Sequence, residues 1–179
     1  MKMPSISNQP RELTASVLAH DHSEIDTLIG DLLAALEEGD TLKVFPRLDL
    51  LWARLAVHIR AEHLCLFPAI LGADFTIRSD GPQYQEVQSA IDQLRLDHEF
   101  FMHELGATIN IMRHENASEQ LRKVHGSIVV IVSRLTKHNQ LEENHVYKWV
   151  SVLLGEAERA ALAARVKREL ENVPPRFSS

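Results

Sequence analysis

Apolar side chains recur every three or four positions along four long segments of the chain, which is the spacing that places them on one face of an α-helix. The second, third and fourth segments run from Leu48 to Leu66, from Tyr84 to Met112 and from Leu121 to Leu135. The β-branched run SIVVIVS in the fourth segment would by itself suggest a strand, but the helical spacing on both sides of it favours a helix. In the first segment the shared face consists of Leu18, Ile25, Ile29, Leu32, Leu33 and Leu36.

Glycine and proline cluster between these segments and mark the connections. Gly39 is expected to end one helix, and either Asp40 or Thr41 opens the next. The longest connection is expected over residues 67–83, which contain two glycines and two prolines. A break near Gly155 precedes a fifth helical segment at the C-terminal end.

Four long helices with short connections predict an all-α fold, an antiparallel up-down-up-down four-helix bundle with an extra C-terminal helix. We expect a flexible N-terminus at residues 1–9, the bundle at 10–155, and the C-terminal helix and tail at 156–179. The pattern is also compatible with two helix hairpins placed side by side, as an internal duplication would produce.

Composition and charge exclude several classes of function. The 179 residues carry a net charge of −6 and no block of lysine or arginine, so nucleic-acid binding through a basic footprint is not expected. The single cysteine, Cys65, has no intramolecular partner, which fits a reducing compartment. The N-terminus lacks the apolar core of a signal peptide, and no apolar run is long enough to span a membrane. We therefore expect a cytoplasmic protein, with its oligomeric state left open.

Ionisable side chains interrupt every apolar face. The first and third faces each carry one histidine, whereas the second and fourth each carry a histidine and a glutamate one helical turn apart. The second His–Glu pair repeats the first after 80 positions (138 − 58 and 142 − 62). At ~1.5 Å per residue, distances from the turns place all of these groups at one level of the bundle. The six residues are His22, His58, Glu62, His98, His138 and Glu142.

Burying these groups without partners would cost on the order of several kcal/mol for each charge. No lysine or arginine falls on the same faces, so we do not expect ion pairing within the core. A lone histidine on an apolar face is more often a hydrogen-bonded core residue than a ligand. Six groups at one level in a repeated spacing favour a bound cation instead.

The His–Glu spacing also suggests how many cations the site holds. Side chains four positions apart stack on one helix face with Cβ atoms ~6 Å apart, so an imidazole can cap one cation while the carboxylate leans towards a second. Two bridging carboxylates and two terminal histidines for each cation define a pair of ions ~3.5–4 Å apart. Mixed imidazole and carboxylate ligation with open positions favours iron or manganese over structural zinc.

The stretches HIRAEHLCLFP and HNQLEE, preceded by LAHDHSEI and LRLDHEFF, resemble the hemerythrin-like family, specifically its HHE cation-binding branch, over about residues 10–155. The resemblance implies a four-helix bundle with a non-haem diiron centre bridged by carboxylates and usually by an oxo or hydroxo group. It makes Glu62 and Glu142 the bridges and makes terminal ligands of His22, His58, His98 and His138.

The chain also departs from the family pattern. His63 stands where the family often has a second glutamate, and no fifth histidine is obvious, which argues against simple reversible oxygen carriage. His63 and His145 lie slightly off the polar direction, and either could be a fifth ligand or a residue that supports a ligand. Cys65 is expected to be a packed core residue. The remaining histidines are expected at the surface: His20, His103, His114 and His125.

The resemblance implies two iron ions, with manganese or zinc able to substitute, and a small diatomic or peroxide ligand. The first hypothesis is binding of oxygen, nitric oxide or peroxide for sensing, storage or stress response. The second is a diiron enzyme that acts on peroxide or nitric oxide, and the third is an iron-dependent interaction module. The sequence leaves open whether the protein is an enzyme.

Overall fold

The computed structural model describes residues 14–76, 81–114 and 117–174. Within these ranges the chain is helical with short turns and has no strand, so the all-α prediction is confirmed. The expected flexible N-terminus at residues 1–9, and the end of the chain after residue 174, lie outside the described residues.

Four helical rods form an antiparallel bundle, and a further helix packs beside them. Two of the rods contain a π-helical turn in their course: the first π-turn, Glu62–Leu66, joins α2 to α3, and the second π-turn, Glu142–Val146, joins α5 to α6. Within the described ranges the α-helices are α1 (Thr14–Glu37), α2 (Thr41–Ala61), α3 (Phe67–Leu71), α4 (Tyr84–His114), α5 (Ala117–Leu141), α6 (Tyr147–Leu153) and α7 (Glu156–Glu171).

The α1–α2 connection follows the predicted chemistry. Gly39 has a φ of 72°, in the left-handed region that glycine adopts without steric cost. Asp40 is the N-cap of α2, because its carboxylate accepts hydrogen bonds from the backbone N–H groups of Leu42 and Lys43 at 3.0 and 3.3 Å. The choice between Asp40 and Thr41 is therefore settled in favour of Asp40.

The prediction of a long connection starting at residue 67 is wrong at its beginning, because the helical rod continues through Pro68 to Leu71. Proline has no N–H group and leaves a carbonyl of the preceding turn without its usual partner. The guanidinium of Arg165 in α7 donates to the carbonyl oxygen of Leu64 at 3.1 Å. Pro68 is therefore tolerated, because Arg165 of α7 satisfies the Leu64 carbonyl that a backbone N–H at position 68 would otherwise bind.

Two apolar clusters fill the interior, one at each end of the bundle. The first contains Leu18 and Leu94 with residues of α3, α6 and α7, and the second contains Ile25 and Phe101 with residues near the α1–α2 turn. Helix α7 belongs to the packed body, because Val166 is fully buried in the first cluster. The apolar face of the third predicted segment begins later than expected, because Tyr84 at the start of α4 is 49% exposed.

No helix in the described parts of the chain combines the length and the apolar character needed to cross a membrane.

Candidate metal centre

The six residues predicted from the sequence meet between the two apolar clusters. The four histidines are each at most 4% exposed, and Glu62 and Glu142 are completely buried. Each histidine has apolar neighbours on both sides along its helix: Leu18 and Ile25, for example, flank His22 and belong to different clusters. The bundle therefore places a polar layer inside an otherwise apolar core.

The histidines form two pairs. In the His98 half, defined by His98 and His138, the ring centroids are 4.7 Å apart and the two Nε2 atoms are 3.1 Å apart. In the His22 half, defined by His22 and His58, the ring centroids are 4.9 Å apart. Each half combines a histidine from α1 or α4 with a histidine that belongs to a His–Glu pair.

Both glutamates lie between the two halves and direct one oxygen to each. Glu62 places Oε2 at 3.2 Å from His98 Nε2 and Oε1 at 3.5 Å from His58 Nε2. Glu142 places Oε1 at 3.2 Å from His138 Nε2 and Oε2 at 3.1 Å from His22 Nε2. This is the arrangement expected of two carboxylates that bridge a pair of cations.

Two buried oxygens support the same interpretation. Glu62 Oε2 and Glu142 Oε1 are buried, and within the described residues neither accepts a well-aligned hydrogen bond, although each lies 3.2 Å from an imidazole Nε2. Both face the His98 half. Leaving a buried acceptor without a partner costs about 1–3 kcal/mol, more for a charged group, so these atoms fit a site that a cation completes.

The two glutamates begin the two π-turns. The N–H of Phe67 donates to the carbonyl of Glu62, and the N–H of Tyr147 donates to the carbonyl of Glu142, in the i→i+5 pattern of a π-turn. A π-turn inserts one extra residue into a helix and is frequent at functional sites. Here it lets the His–Glu pair and the residues beyond it face the interior from one continuous rod.

Buried carboxylates orient one histidine of each half. His58 Nδ1 is 2.7 Å from Asp21 Oδ2, and His138 Nδ1 is 3.3 Å from Asp97 Oδ2. Such partners fix the ring so that Nε2 faces the centre, and they strengthen it as a donor. Sequence reasoning missed both aspartates, although each directly precedes a predicted ligand in the dipeptide Asp–His.

Arginines accompany both aspartates and correct the prediction that no ion pair reaches the core. Arg54 is ion-paired with Asp21, and Arg134 donates to Asp97 at 2.7 Å. The prediction failed because arginine has a long side chain: its Cα lies off the apolar face while the guanidinium reaches a buried carboxylate at the edge of the core.

The other two histidines have different partners. His22 Nδ1 is 3.0 Å from Glu143 Oε1, and His98 Nδ1 is 2.9 Å from His63 Nε2. His63 therefore contacts the ring nitrogen of His98 that faces away from the glutamates. Of the two roles considered for His63, a fifth ligand or a residue that supports a ligand, this position fits the second.

Among the remaining histidines, His145 is exposed, with its ring centroid 6.1 Å from that of Trp149. His20, His103 and His125 are exposed, as expected. The side chain of His114 lies outside the described residues. Cys65 is 3% exposed, as expected of a packed residue.

Tyr147 is the functional candidate that sequence reasoning did not identify. Its hydroxyl lies 3.1 Å from His22 Nε2, 3.3 Å from Glu62 Oε1 and 3.2 Å from Glu142 Oε2. Burial and the charges of the two glutamates raise the pKa of Tyr147 well above its usual value, so the group is a phenol that donates a hydrogen bond. The second π-turn brings it to this position, and a comparison of the two halves of the repeat would have paired it with Phe67.

A cleft of about 550 Å³ opens beside the His22 half. Glu143, Tyr147 and Lys148 are among its lining residues, together with Thr14 and Arg159. Since Tyr147 lines the cleft and its hydroxyl contacts both glutamates, this residue lies between the cleft and the centre.

The imidazoles and carboxylates of the centre balance each other's charge. Burial acts to lower the pKa of His138, but the charge of Glu142 and the hydrogen bond to Asp97 outweigh it and raise the pKa to about 9. Burial acts to raise the pKa of Glu62, but the charge of His58 and its hydrogen bonds hold that pKa well below the usual range. A cation has to displace these protons, because ligation requires neutral imidazole.

Comparison with known proteins agrees with this geometry. The family model described as Hemerythrin HHE cation binding domain matches residues 13–150, which is most of the chain. Searches of curated proteins and of solved structures found no match. Family membership and the buried His–Glu cluster together indicate that the protein binds metal cations. The chain belongs to the hemerythrin HHE cation-binding family.

Proposed function

We propose that this protein is a non-haem diiron protein that binds oxygen, nitric oxide or peroxide at a carboxylate-bridged iron pair, in sensing, storage or stress response. The observation that carries the proposal is the division of each buried carboxylate between two histidine pairs. Iron is favoured because imidazole and carboxylate donors with open positions suit iron or manganese better than structural zinc. Manganese or zinc can substitute in the same donor set.

His98 and His138 would hold one ion with both glutamates, and His22 and His58 would hold the other with Glu142. Glu62 would be shared as well, because its Oε1 lies 3.5 Å from His58 Nε2. Iron bound there supplies a redox-active Lewis acid with positions for a small ligand. Two imidazole nitrogens and two carboxylate oxygens per ion are fewer donors than iron commonly takes, which favours an additional ligand.

The chain's own residues control what reaches this site. The apolar clusters on both sides exclude bulk water and strengthen every electrostatic interaction at the polar layer. The Tyr147 hydroxyl holds a proton within hydrogen-bond distance of both glutamates. Tyr147, which is only 4% exposed, lies between the cleft and the two glutamates.

Metal content and ligand-dependent spectra test the proposal directly. Protein purified without added metal should contain iron approaching two ions per chain, and the reduced protein should change its absorption spectrum on exposure to oxygen or nitric oxide. Glu62→Ala should lose most of the iron, because it removes one donor from both ions. Glu86→Ala, an exposed position at the start of α4, is the matched control and should retain it.

Silence towards oxygen, nitric oxide and peroxide in iron-loaded protein would reject the proposed ligand chemistry. Full iron content in Glu62→Ala would reject the bridging role of that residue.

An enzyme that acts on peroxide or nitric oxide is the second candidate, and the position of Tyr147 favours it. A phenol beside the glutamates that keeps its proton when iron binds is a proton source for a ligand that is being reduced. Turnover assays on iron-loaded protein, with Tyr147→Phe beside the native chain, separate catalysis from binding. Ligand binding without measurable turnover would leave the first candidate.

A further inference from the structure

The second half of the bundle repeats the chemistry of the first. Asp21 and His22 in α1 correspond to Asp97 and His98 in α4. Arg54 and His58 of α2 and Glu62 of the first π-turn recur 80 residues later in α5 and the second π-turn. The contacts repeat as well: each aspartate binds an arginine and the Nδ1 of a histidine. Any difference between the two halves is therefore informative about function.

The two halves differ at two contacts, and in each case a different residue lies beside His22 than lies beside its counterpart His98. Glu143 supports His22, whereas His63, its counterpart 80 positions earlier, supports His98. Tyr147 lies with its ring centroid 5.8 Å from that of His22, and its counterpart Phe67 lies 5.9 Å from His98. The two aromatic rings occupy equivalent places, but only Tyr147 carries an oxygen.

The distances around that oxygen match those between neighbouring donors of one ion. Donors at 2.0–2.2 Å from a metal and at right angles to each other are roughly 3 Å apart. The Tyr147 oxygen lies 3.1–3.3 Å from His22 Nε2, Glu62 Oε1 and Glu142 Oε2. The donors of the His98 half show the same spacing, with Nε2–Nε2 and Nε2–Oε separations of 3.1–3.2 Å.

From this geometry we infer that the Tyr147 oxygen is a fifth protein donor to the cation held by His22 and His58, and that the two cation positions are chemically inequivalent. On ligation the phenol O–H bond breaks, its proton leaves to solvent, and the oxygen lone pair forms the bond to the metal. The charge of a bound cation favours the phenolate, so the local preference for phenol is reversed. Glu143 reinforces the difference, because a carboxylate behind His22 makes that imidazole a stronger donor than His63 makes His98.

This inference rests on the proposed function and is tested by the colour of the ferric protein. Tyrosinate bound to ferric iron gives an intense visible charge-transfer band with characteristic phenolate vibrations in resonance Raman spectra. The chain has only two tyrosines, so the band can be assigned without ambiguity. Iron-loaded native protein should show the band, and Tyr147→Phe should lose it completely while it retains the iron and the helical circular-dichroism spectrum.

Two variants serve as controls. Tyr84→Phe changes the other tyrosine, which is 49% exposed and begins α4, and should keep the full band. Phe67→Tyr places a hydroxyl at the equivalent position beside His98 and should increase the band intensity towards twofold. Phe67→Tyr in the Tyr147→Phe background should restore a band that the single variant lacks.

The outcomes distinguish failure of the proposed diiron site from failure of Tyr147 as a ligand. Native protein that binds no iron overturns the proposed function and this assignment together. Native protein that binds iron but shows no phenolate band, or a band that persists in Tyr147→Phe, overturns only the assignment of Tyr147. A band lost in both Tyr147→Phe and Tyr84→Phe would indicate a structural rather than a ligating role and would also overturn it.

Discussion

At the scale of single residues, neighbours in the chain have opposite environments, and the helical rotation of about 100° per residue explains why. Phe101 is completely buried with its ring edge-on to that of His138, at a centroid distance of 5.3 Å and an interplanar angle of 84°. Phe100, one position earlier, is half-buried and lies beside the guanidinium of Arg134 at 4.2 Å. Phe101 therefore packs against a histidine of the candidate centre, whereas Phe100 covers the ion pair between Arg134 and Asp97 at its edge.

This contrast predicts unequal costs of truncation. Phe101→Ala should reduce the free energy of unfolding by about 3–5 kcal/mol, because it leaves a cavity beside His138. Phe100→Ala should cost clearly less, since its ring is half-buried and its cation–π contact is worth only about 0.5–2 kcal/mol. Denaturant unfolding of both variants measures the difference. Equal losses would contradict the packing described for the second apolar cluster.

Cys65 supplies a second prediction at this scale. Burial raises the pKa of its thiol, and its side chain is almost inaccessible, so the reactive thiolate is rare in the native chain. Alkylation at neutral pH should therefore be much slower for native protein than for protein unfolded in denaturant. Rapid labelling of the native chain would show that the first π-turn opens readily.

At the scale of elements, the two π-turns connect the candidate centre to the rest of the bundle. Each begins at a buried glutamate and ends before an aromatic residue, Phe67 or Tyr147, that packs on a histidine of the centre. In a regular α-helix, with about 100° per residue, an aromatic residue five positions after the glutamate would lie about 140° around the helix from it. The π-turn is therefore needed for both side chains to face inward.

Deletion of one exposed residue tests this role. Removal of Asn144 should convert the second π-turn into regular α-helix, in which Glu142 and Tyr147 become four positions and about 40° apart, so both still face inward. We therefore expect a melting temperature and a metal content close to native values. Insertion of one alanine after Asn144 adds about 100° that the turn does not absorb, so it should lower the melting temperature and lose most of the bound metal. A deletion variant that loses its metal, or an insertion variant that keeps it, would contradict this role of the π-turn.

At the scale of the whole molecule, buried charge links folding to metal binding. The centre holds two carboxylates and four imidazoles in the middle of the core, where a cation and a set of protons compete for the same donors. A ligand that binds only the folded chain stabilises it in proportion to the logarithm of its concentration over its dissociation constant. Metal removal by a chelator should therefore lower the melting temperature.

The pH dependence of the chelated protein has a defined sign. The pKa of His138 is raised to about 9 from 6.5, so its stabilising contribution is complete below pH 6.5 and is lost as the pH rises towards about 9. The pKa of Glu62 is lowered from 4.5, so its contribution is present above pH 4.5 and is lost as the pH falls. Chelated protein should melt at its highest temperature between about pH 4.5 and 6.5.

As the pH rises from about 6.5 to 9, the melting temperature of chelated protein should fall, whereas that of metal-loaded protein should rise. The reason is that protons compete with the cation for imidazole, and this competition weakens as the pH rises. Melting curves of both forms from pH 5 to 9 measure the two trends. Parallel pH profiles for chelated and metal-loaded protein would show that the cation does not bind at these histidines.

Much of this molecule is determined by the sequence alone, because helix formation depends on local hydrogen bonds and on which face of a segment is apolar. The spacing of leucine and isoleucine predicted the long helices, and the repeated His–Glu pairs predicted which groups would meet at one level. Gly39 and Asp40 marked the first turn through their own backbone preferences. That the six residues are metal ligands stays a prediction.

Only the tertiary structure decided how that polar layer is supported. Glu143 reaches His22 across 121 positions of the chain, and Tyr147 reaches it across 125. Such contacts depend on the rotation of one helix against another and on a π-turn that a regular helical period does not reveal. The sequence shows that Glu143 and Tyr147 stand where the first half has His63 and Phe67, but only the packed helices show that Glu143 and Tyr147 both lie beside His22.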